Sequence, residues 1–512
     1  MKKGLKKFSL FRSTFIVASL TALSRIAGLI RDVLISNVLG VSFVADAFIV
    51  ALRLPNIFRR ITAEGAFSAA FVPIFSKKLL EGKASSINFS QDILYVLTIS
   101  IIIITSLLQL LMPWVMYLMA YGFSSDIAKF ELAIIYSRIT VPYILFISLS
   151  SLGVGILNSI GKYSVASLSP VILNILLIIA LALPSDDILL TGYFLSFAVM
   201  LSGFLQFILI FLTLRKNRYS LELRRPKNYD QINKFMKLAN PQIITGLILQ
   251  ANILLSGAIA SFAQGGISTL YFAERLYQLP LALFGISIGT VLLPTLSSLH
   301  IKNDIAEINL VVRRSVKFAL IMSIPAATGL MIISVPIITL IYQHGLFNEL
   351  NTILVSKTLI AFSIGLPAFI LIKIYLPIFY SMGDTKNPLR YSLISTAINI
   401  FMALFLFSKY GIIGIALSTS FSSWVNFLLL SNKSKSFMIS VFSARLYFDL
   451  VKVILSSAAM AYAIFFLLNI LTDFSIASQI LIITPMGMLI YFLILSLLGV
   501  LNKNDIRSII SR

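Results

Sequence analysis

The feature that most constrains this 512-residue chain is a series of apolar stretches, each long enough to cross a lipid bilayer. A helix needs about 20 mostly apolar residues to span about 30 Å of hydrocarbon. Backbone polar groups must be paired within the chain inside lipid, so successive spans of this kind are helices. We therefore predict an all-α polytopic membrane protein with 14 transmembrane helices, near residues 14–39, 44–76, 91–119, 130–158, 164–184, 188–214, 235–263, 267–299, 313–343, 352–382, 388–408, 411–431, 446–470 and 475–500.

Composition supports a membrane protein and excludes several other classes. Hydrophobic residues make up 58% of the chain and charged residues only 12%, whereas about a quarter of a soluble domain is charged. This excludes a soluble enzyme, a disordered chain and a nucleic-acid-binding domain. The chain has no cysteine and two distant histidines, His300 and His344. We therefore expect no disulfide, no metal centre and no cofactor.

The net charge is +22, and the excess basic residues are concentrated in alternate loops. Cytoplasmic loops of membrane proteins are enriched in lysine and arginine. With a cytoplasmic N-terminus, the alternation holds through all predicted crossings and puts both termini in the cytoplasm. A signal peptide is disfavoured, because the first apolar stretch continues as a helix with no small-residue cleavage site. Basic residues concentrate at 2–12, 77–83, 162, 215–237, 302–317, 386–390 and 433–445, and the opposite side carries mainly Lys129 and Lys409.

An internal repeat relates the two halves of the chain. Matching residues recur at a spacing of about 225: Pro55 with Pro280, Pro142 with Pro367, and Asn174 with Asn399. The segment ILNSIGKYS also resembles IFYSMGDTK, at a spacing of about 222. An even number of helices in each half gives both halves the same orientation, which is typical of transporters with a site between two lobes. We predict two pseudo-symmetric six-helix lobes, at 1–225 and 226–435, followed by two extra C-terminal helices at 436–512.

Charged residues within the predicted spans indicate a polar cavity. Each costs about 2.5–3.5 kcal/mol at mid-bilayer, so such residues face a bundle interior or water. Arginines outnumber acids, and the planar guanidinium group suits phosphate oxygens. The pattern predicts an anion-binding cavity formed by Arg25, Arg31, Asp32, Asp46, Arg53, Arg59, Arg60, Glu64, Glu274, Arg275 and Lys373. For Arg138 and Lys452 we favour internal pairing or snorkelling toward the membrane surface.

The Leu54-Pro55-Asn56 sequence predicts a break in the second helix, because proline lacks the N–H that continues a helix and clashes with the preceding turn. Broken helices commonly mark the binding sites of transporters. A passive kink is the alternative interpretation.

Three segments carry a resemblance to a known family. SRIAGLIRDVLISNVLG, ADAFIVALRLPNIFRRITAEGAFSAAFVPIF and YFAERLYQLP resemble the MurJ (MviN) family of lipid II flippases, and weaker similarity covers essentially the whole chain. That family belongs to the superfamily that includes MATE drug exporters, and its fold has two six-helix lobes and an extra terminal pair.

The resemblance implies a transporter of the bacterial inner membrane. It implies movement of lipid II, the undecaprenyl-diphosphate-linked peptidoglycan precursor, to the outer leaflet by alternating access, with the last two helices holding the prenyl tail. Lipid II and membrane lipid would be its partners, with contacts to the cell-wall synthesis machinery following from that role; we expect a monomer. It implies substrate-binding residues Arg25, Arg31, Arg59, Arg60, Arg275 and Lys373, and gating or ion-pair residues Asp46, Glu64 and Glu274. We expect these three acids to pair with arginines when no substrate is bound.

The sequence departs from family patterns in two places. Gln278 stands where some members have an acid one turn after the arginine of helix 8. Some members bind sodium through carboxylates on helices 7 and 11, where this chain has only Gln250, Asn252, Ser395 and Asn399. Sodium coupling is therefore doubtful, and the membrane potential alone is the expected energy source.

Two other functions are compatible with parts of the sequence. A related exporter of another polyprenyl-linked glycan or of drugs would share the fold, but cationic drugs favour an acid-lined cavity. A membrane glycosyltransferase would need an extramembrane carboxylate or metal-binding cluster. The acidic pair in the outer loops, Asp186 and Asp187, is better explained as ordinary loop polarity.

Overall fold

The computed structural model describes residues 2–62, 66–185, 187–439, 441 and 443–500. These residues are arranged in helices, and the described part of the chain contains no β-strand. The all-α polytopic fold is therefore confirmed. The chain divides into two compact units, Met1–Ser268 and Thr269–Arg512, which are described in turn.

The first unit begins with a long helix and contains most of the predicted charged spans. Its helices are α1 (Lys2–Leu39), α2 (Phe43–Thr62), α3 (Ala66–Glu81), α4 (Lys83–Leu110), α5 (Met112–Met119), α6 (Ile127–Thr140), α7 (Pro142–Ser159), α8 (Ser164–Ala182), α9 (Ile188–Lys216) and α10 (Tyr229–Ala260). A short 3₁₀-helix, Tyr121–Ser125, connects α5 to α6.

The second unit continues from α11 (Gly266–Pro280), whose first residues belong to the first unit. A π-helical turn, Leu281–Ile286, follows Pro280. The remaining α-helices are α12 (Ser287–Ile301), α13 (Ile305–Ile332), α14 (Ser334–Tyr342), α15 (Glu349–Ser381), α16 (Lys386–Tyr410), α17 (Ile412–Ser434), α18 (Ala444–Ile470) and α19 (Ile476–Leu497), with a 3₁₀ turn at Lys435–Phe437.

Eleven helical segments in the described part of the chain are long and apolar enough to cross a membrane. They correspond to eleven of the predicted spans. The other three predicted spans, 14–39, 44–76 and 235–263, include residues or side chains outside the described part. The count of fourteen therefore stays a prediction, as do the lobe boundaries at 225 and 435.

Glycines allow helices of the first unit to pack closely. An added Cβ on Gly203 of α9 would lie 2.7 Å from the ring of Tyr143 on α7. A Cβ on Gly192 would overlap the ring and hydroxyl of Tyr136 on α6. Tyr136 is fully buried, and its hydroxyl donates a hydrogen bond to the Leu189 carbonyl at 2.7 Å. Small residues therefore determine how near α9 lies to α6 and α7.

In the second unit, the last two helices pack against α13 and α14. The buried Tyr491 hydroxyl of α19 donates to the Ile321 carbonyl at 2.7 Å. Lys317 of α13 pairs with Asp449 of α18 at 2.9 Å. Lys452, for which we favoured pairing or snorkelling, donates to the Leu498 carbonyl at 2.8 Å, where α19 ends. Helix C-termini present unpaired carbonyls, so this contact satisfies both groups.

The two copies of the repeat end corresponding helices in the same way. Gly161 after α7 and Gly383 after α15 have positive φ angles of 78° and 72°. In each case, the N–H of the next residue donates to a carbonyl five residues earlier, Lys162 to Leu157 at 2.8 Å and Asp384 to Phe379 at 2.9 Å. This is the Schellman geometry that glycine favours at helix ends. The spacing of 222 read from the sequence thus has a structural basis.

Glycine packing predicts the result of a matched pair of substitutions. Gly192→Ala should lower the thermal midpoint of the purified protein, because overpacking a buried contact costs about 1–3 kcal/mol. Gly329→Ala, in α13, meets no atom within 4 Å and should leave the midpoint unchanged or raise it through better helix propensity. Equal midpoints for the two variants would contradict the assignment of close packing at Gly192.

Candidate functional site

The predicted helix break at Pro55 is wrong, because α2 runs continuously from Phe43 to Thr62 through Pro55 and Asn56. Proline at position 55 leaves the carbonyl of Ala51 without its usual helical donor. The hydroxyl of Thr140, from α6, donates to that carbonyl at 3.0 Å. A neighbouring helix therefore replaces the missing hydrogen bond. In the second repeat copy, irregular geometry does occur, as the π-helical turn directly after Pro280.

Arg31 on α1 is held in a fixed orientation by two side chains. Its Nε and Nη2 donate to Asp32 Oδ1 at 3.0 and 2.6 Å, and its Nη1 donates to Asn174 Oδ1 at 2.8 Å. Asn174 Nδ2 in turn donates to the Ser24 carbonyl at 2.9 Å, which ties α8 to α1. Arg31 is only 8% exposed. Asn174 is one of the residues that recur in the internal repeat. The sequence did not predict that Asn174 contacts Arg31.

The arginines of α2 contact different neighbours. The guanidinium of Arg53 occupies the space where a Cβ on Gly257 of α10 would lie. Arg60 Nη1 donates to Gln250 Oε1 on α10 at 3.2 Å. Arg59 lines a cavity on another side, together with residues of α7, α8 and α9. Arg25 is exposed on α1. The first unit therefore presents its predicted cationic residues at several positions along α1 and α2.

Asp46 is fully buried and lies in a dense polar cluster. Its Oδ2 accepts from Lys129 Nζ at 2.9 Å and from the Gly265 N–H at 2.9 Å. Its Oδ1 accepts from both the N–H and the hydroxyl of Ser268 at 2.8 Å. We expected Asp46 to pair with an arginine, but it pairs with Lys129, which is 5% exposed and also lies 4.1 Å from the Phe123 ring centroid.

Sequence reasoning placed Lys129 among loop charges and missed this pair. Asp46, Lys129 and Ser268 lie in the first turns of α2, α6 and α11. Three helix starts are thus joined by one carboxylate. Under the predicted topology all three lie at the outer face of the membrane. The alternating loop pattern could have suggested this, because both charged residues fall on the side with few other charges.

The second unit contributes cationic residues on α11 and α15. Arg275 Nη2 donates to the Tyr271 hydroxyl at 3.0 Å, and its guanidinium lies 4.5 Å from that ring's centroid. Glu274 is partly buried beside it on α11. Lys373 is exposed on α15, and its backbone carbonyl would lie 2.8 Å from a Cβ on Gly289. Glu64 lies outside the described residues, so its gating role stays a prediction.

Three of the four polar residues considered for sodium join helices or bind an arginine. Gln250 accepts from Arg60. Ser395 donates to the Ser422 carbonyl at 2.7 Å, and Asn399 accepts from the Ser418 hydroxyl at 2.8 Å, which joins α16 to α17. These contacts give Ser395 and Asn399 a role between two helices.

Comparison with known proteins gives the family. The model of the family described as "Lipid II flippase MurJ" matches residues 35–505. The chain is 38% identical over 426 residues to a probable lipid II flippase MurJ from Rickettsia prowazekii (strain Madrid E), covering 83% of this chain and 84% of that protein. The chain belongs to the MurJ lipid II flippase family.

Solved structures agree with membership of the MurJ family. A lipid II flippase MurJ in an inward closed conformation matches with a TM-score of 0.80 and 30% identity, covering 94% of this chain and 98% of that one. An inward-facing multidrug resistance MATE transporter of the MOP superfamily matches with a TM-score of 0.69 at 15% identity, covering 83% and 98%. The second match shows a shared fold only. This MurJ family member is thus a multi-pass membrane protein of the bacterial inner membrane, with the fold of MOP transporters.

The Asp46 cluster predicts unequal effects of removing its two charges. Asp46→Ala should destabilise the protein by about 3–5 kcal/mol, because it leaves the buried Lys129 ammonium without its carboxylate. Lys129→Met should cost less, because Asp46 keeps its bonds from Gly265 and Ser268. Thermal unfolding in detergent measures both. A larger loss for Lys129→Met would contradict this account, and the double variant should lose less than the sum.

Proposed function

We propose that this protein moves lipid II from the cytoplasmic to the outer leaflet of the inner membrane. The observation that carries the proposal is Arg31, a guanidinium buried in a membrane helix and oriented by Asp32 and Asn174. Arginine's planar fork of donors matches phosphate oxygens. Membership of the MurJ family supports lipid II as the diphosphate compound.

The contacts of Arg31 suggest how an empty site tolerates its charge. Asp32 neutralises Arg31 when no substrate is bound, through two bonds to one carboxylate oxygen. A diphosphate offers more charge and more acceptor oxygens than Asp32, so it competes for the guanidinium. In this proposal Arg59, Arg60 and Arg275 supply further positive charge, Arg25 and Lys373 support the field, and Asp46, Glu64 and Glu274 act in gating. The cycle alternates access between the two sides of the membrane.

The remaining parts of the proposal concern the surroundings of the protein. The prenyl tail stays in lipid beside α18 and α19. Both termini lie in the cytoplasm, as the loop charges predict. The protein acts as a transporter without enzymatic activity, as a monomer without a cofactor, and supplies substrate to the cell-wall synthesis machinery.

The membrane potential is the proposed energy source. The headgroup carries negative charge outward across a membrane that is negative inside. Each charge moved along the potential yields about 2.3 kcal/mol per 100 mV. Outward transport of a diphosphate is therefore driven directly by the field.

Substitution of Arg31 tests the proposal. Arg31→Gln combined with Asp32→Asn removes the guanidinium without leaving a buried carboxylate unpaired. Expressed in bacteria depleted of their own lipid II flippase, this variant should fail to rescue growth or deliver outer-leaflet lipid II, and Arg275→Ala should behave likewise. Arg138→Ala, an exposed arginine, is the matched control and should rescue as wild type does. Full rescue by the Arg31 variant would refute the proposed role.

Energy coupling is tested in the same cells. Collapse of the membrane potential with valinomycin and potassium should stop the appearance of outer-leaflet lipid II, because the field then does no work on the headgroup. Replacing sodium with choline should change the transport rate by less than about twofold. A requirement for sodium at full potential would contradict the coupling proposed here.

A further inference from the structure

A cavity of about 350 Å³ lies within the first unit, between α1, α2, α7, α8 and α9. Its volume falls in the range of about 300–1,000 Å³ typical of small-molecule sites. The lining is largely apolar, and Arg59 and neutral polar side chains on three helices are set into it. The polar side chains include Ser150, Ser151, Asn158, Ser169 and Gln206. No acidic side chain lines the cavity in the described part of the chain.

Three polar atoms of this lining are buried without a hydrogen-bond partner among the described residues: Ser150 Oγ, Asn158 Oδ1 and Gln206 Nε2. Ser150 and Gln206 are each 1% exposed. Leaving such a group unpaired costs about 1–3 kcal/mol. Three of them around one cavity indicate that the cavity is built to hydrogen-bond a ligand.

The orientation of Gln206 is fixed by a neighbour. The hydroxyl of Ser169 on α8 donates to Gln206 Oε1 at 2.5 Å. The other end of the amide, Nε2, is then left to donate. The lining therefore offers one donor at Gln206, one acceptor at Asn158 and a hydroxyl at Ser150 that can do either.

This set of groups matches an N-acetylated sugar attached to a phosphate. An acetamido group has one carbonyl acceptor and one N–H donor, and sugar hydroxyls serve both roles. Arg59 lines the same cavity, and its guanidinium suits the phosphate. Because the first sugar is bonded directly to the diphosphate, it lies next to any phosphate that Arg59 binds, whereas the peptide lies farther away.

The cavity lies where a headgroup would be received from the cytoplasmic leaflet. Asn158 is near the end of α7, and the adjoining loop carries Lys162, which the loop-charge pattern places in the cytoplasm. Tyr163, half-exposed at the start of α8, also lines the cavity.

We propose that this cavity binds the N-acetylated sugar that the diphosphate carries, and so makes the protein select glycan-bearing lipids over bare undecaprenyl diphosphate. The proposal rests on the function proposed above. It assigns Ser150, Asn158 and Gln206 as specificity residues acting beside Arg59.

Binding measurements on the purified full-length chain test this assignment. The probes are undecaprenyl diphosphate, undecaprenyl-diphosphoryl N-acetylglucosamine and lipid II. Wild type should bind the two sugar-bearing lipids more tightly than undecaprenyl diphosphate. Ser150→Ala and Gln206→Met should each weaken binding of both sugar-bearing lipids about two- to tenfold, the loss expected for one hydrogen bond. Binding of undecaprenyl diphosphate should stay unchanged.

Ser148→Ala is the matched control. Ser148 lies on the same helix and is fully buried, and its hydroxyl also has no partner among the described residues, but it does not line the cavity. This variant should bind all three lipids as wild type does.

Three results would overturn the proposal. The first is wild-type affinity of the Ser150 and Gln206 variants for the sugar-bearing lipids. The second is an equal loss for all three probes, which would mark a structural effect. The third is a preference for lipid II without any for the N-acetylglucosamine lipid, which would assign recognition to the second sugar or the peptide. If wild type binds none of the lipids, the function proposed above fails and this assignment fails with it.

Discussion

The high cost of placing charge in hydrocarbon governs the arrangement of this protein. A lone ionised group there is expensive, so membrane proteins pair such groups or direct them to water. The structure shows three solutions. Asp46 and Lys129 form a buried pair with additional hydrogen bonds. Lys452 donates to one carbonyl at a helix end. Arg31 is bonded to the carboxylate of Asp32 and to the amide oxygen of Asn174.

Properties that depend on neighbouring residues in the sequence could be predicted from it. Apolar length predicted fourteen spans, and eleven of them are found in the described residues, because crossing a bilayer is a requirement on consecutive residues. The repeat was visible because glycine and proline mark the same turns in both halves. Properties that depend on distant partners could not be predicted. Pro55 predicts a helix break from local sequence alone. The helix continues because Thr140, far away in sequence, supplies the missing hydrogen-bond donor.

The candidate site shows the same limit. Residue type alone identified Arg31, Arg59 and Asp46 as unusual in a membrane helix. Residue type alone could not identify the partner of each charged side chain, because the partner depends on how the helices pack. Asp46 was expected to pair with arginine, yet Lys129 is its partner. The cavity around Gln206 had no sequence signal, since serine, asparagine and glutamine in apolar helices are individually common in helix packing.

Equivalent asparagines in the two halves make different contacts. Asn174 holds the guanidinium of Arg31, whereas Asn399, its repeat counterpart, accepts from a serine hydroxyl. This asparagine therefore contacts a charged side chain in the first copy and a neutral one in the second. The pairing of Arg31 with Asp32 has an electrical consequence. In the transport cycle proposed above, the neutralised pair would move little charge when the empty carrier returns, so each turnover would leave a net outward transfer of negative charge. Lipid transport would then register as an electric current across the membrane, carried by the cargo.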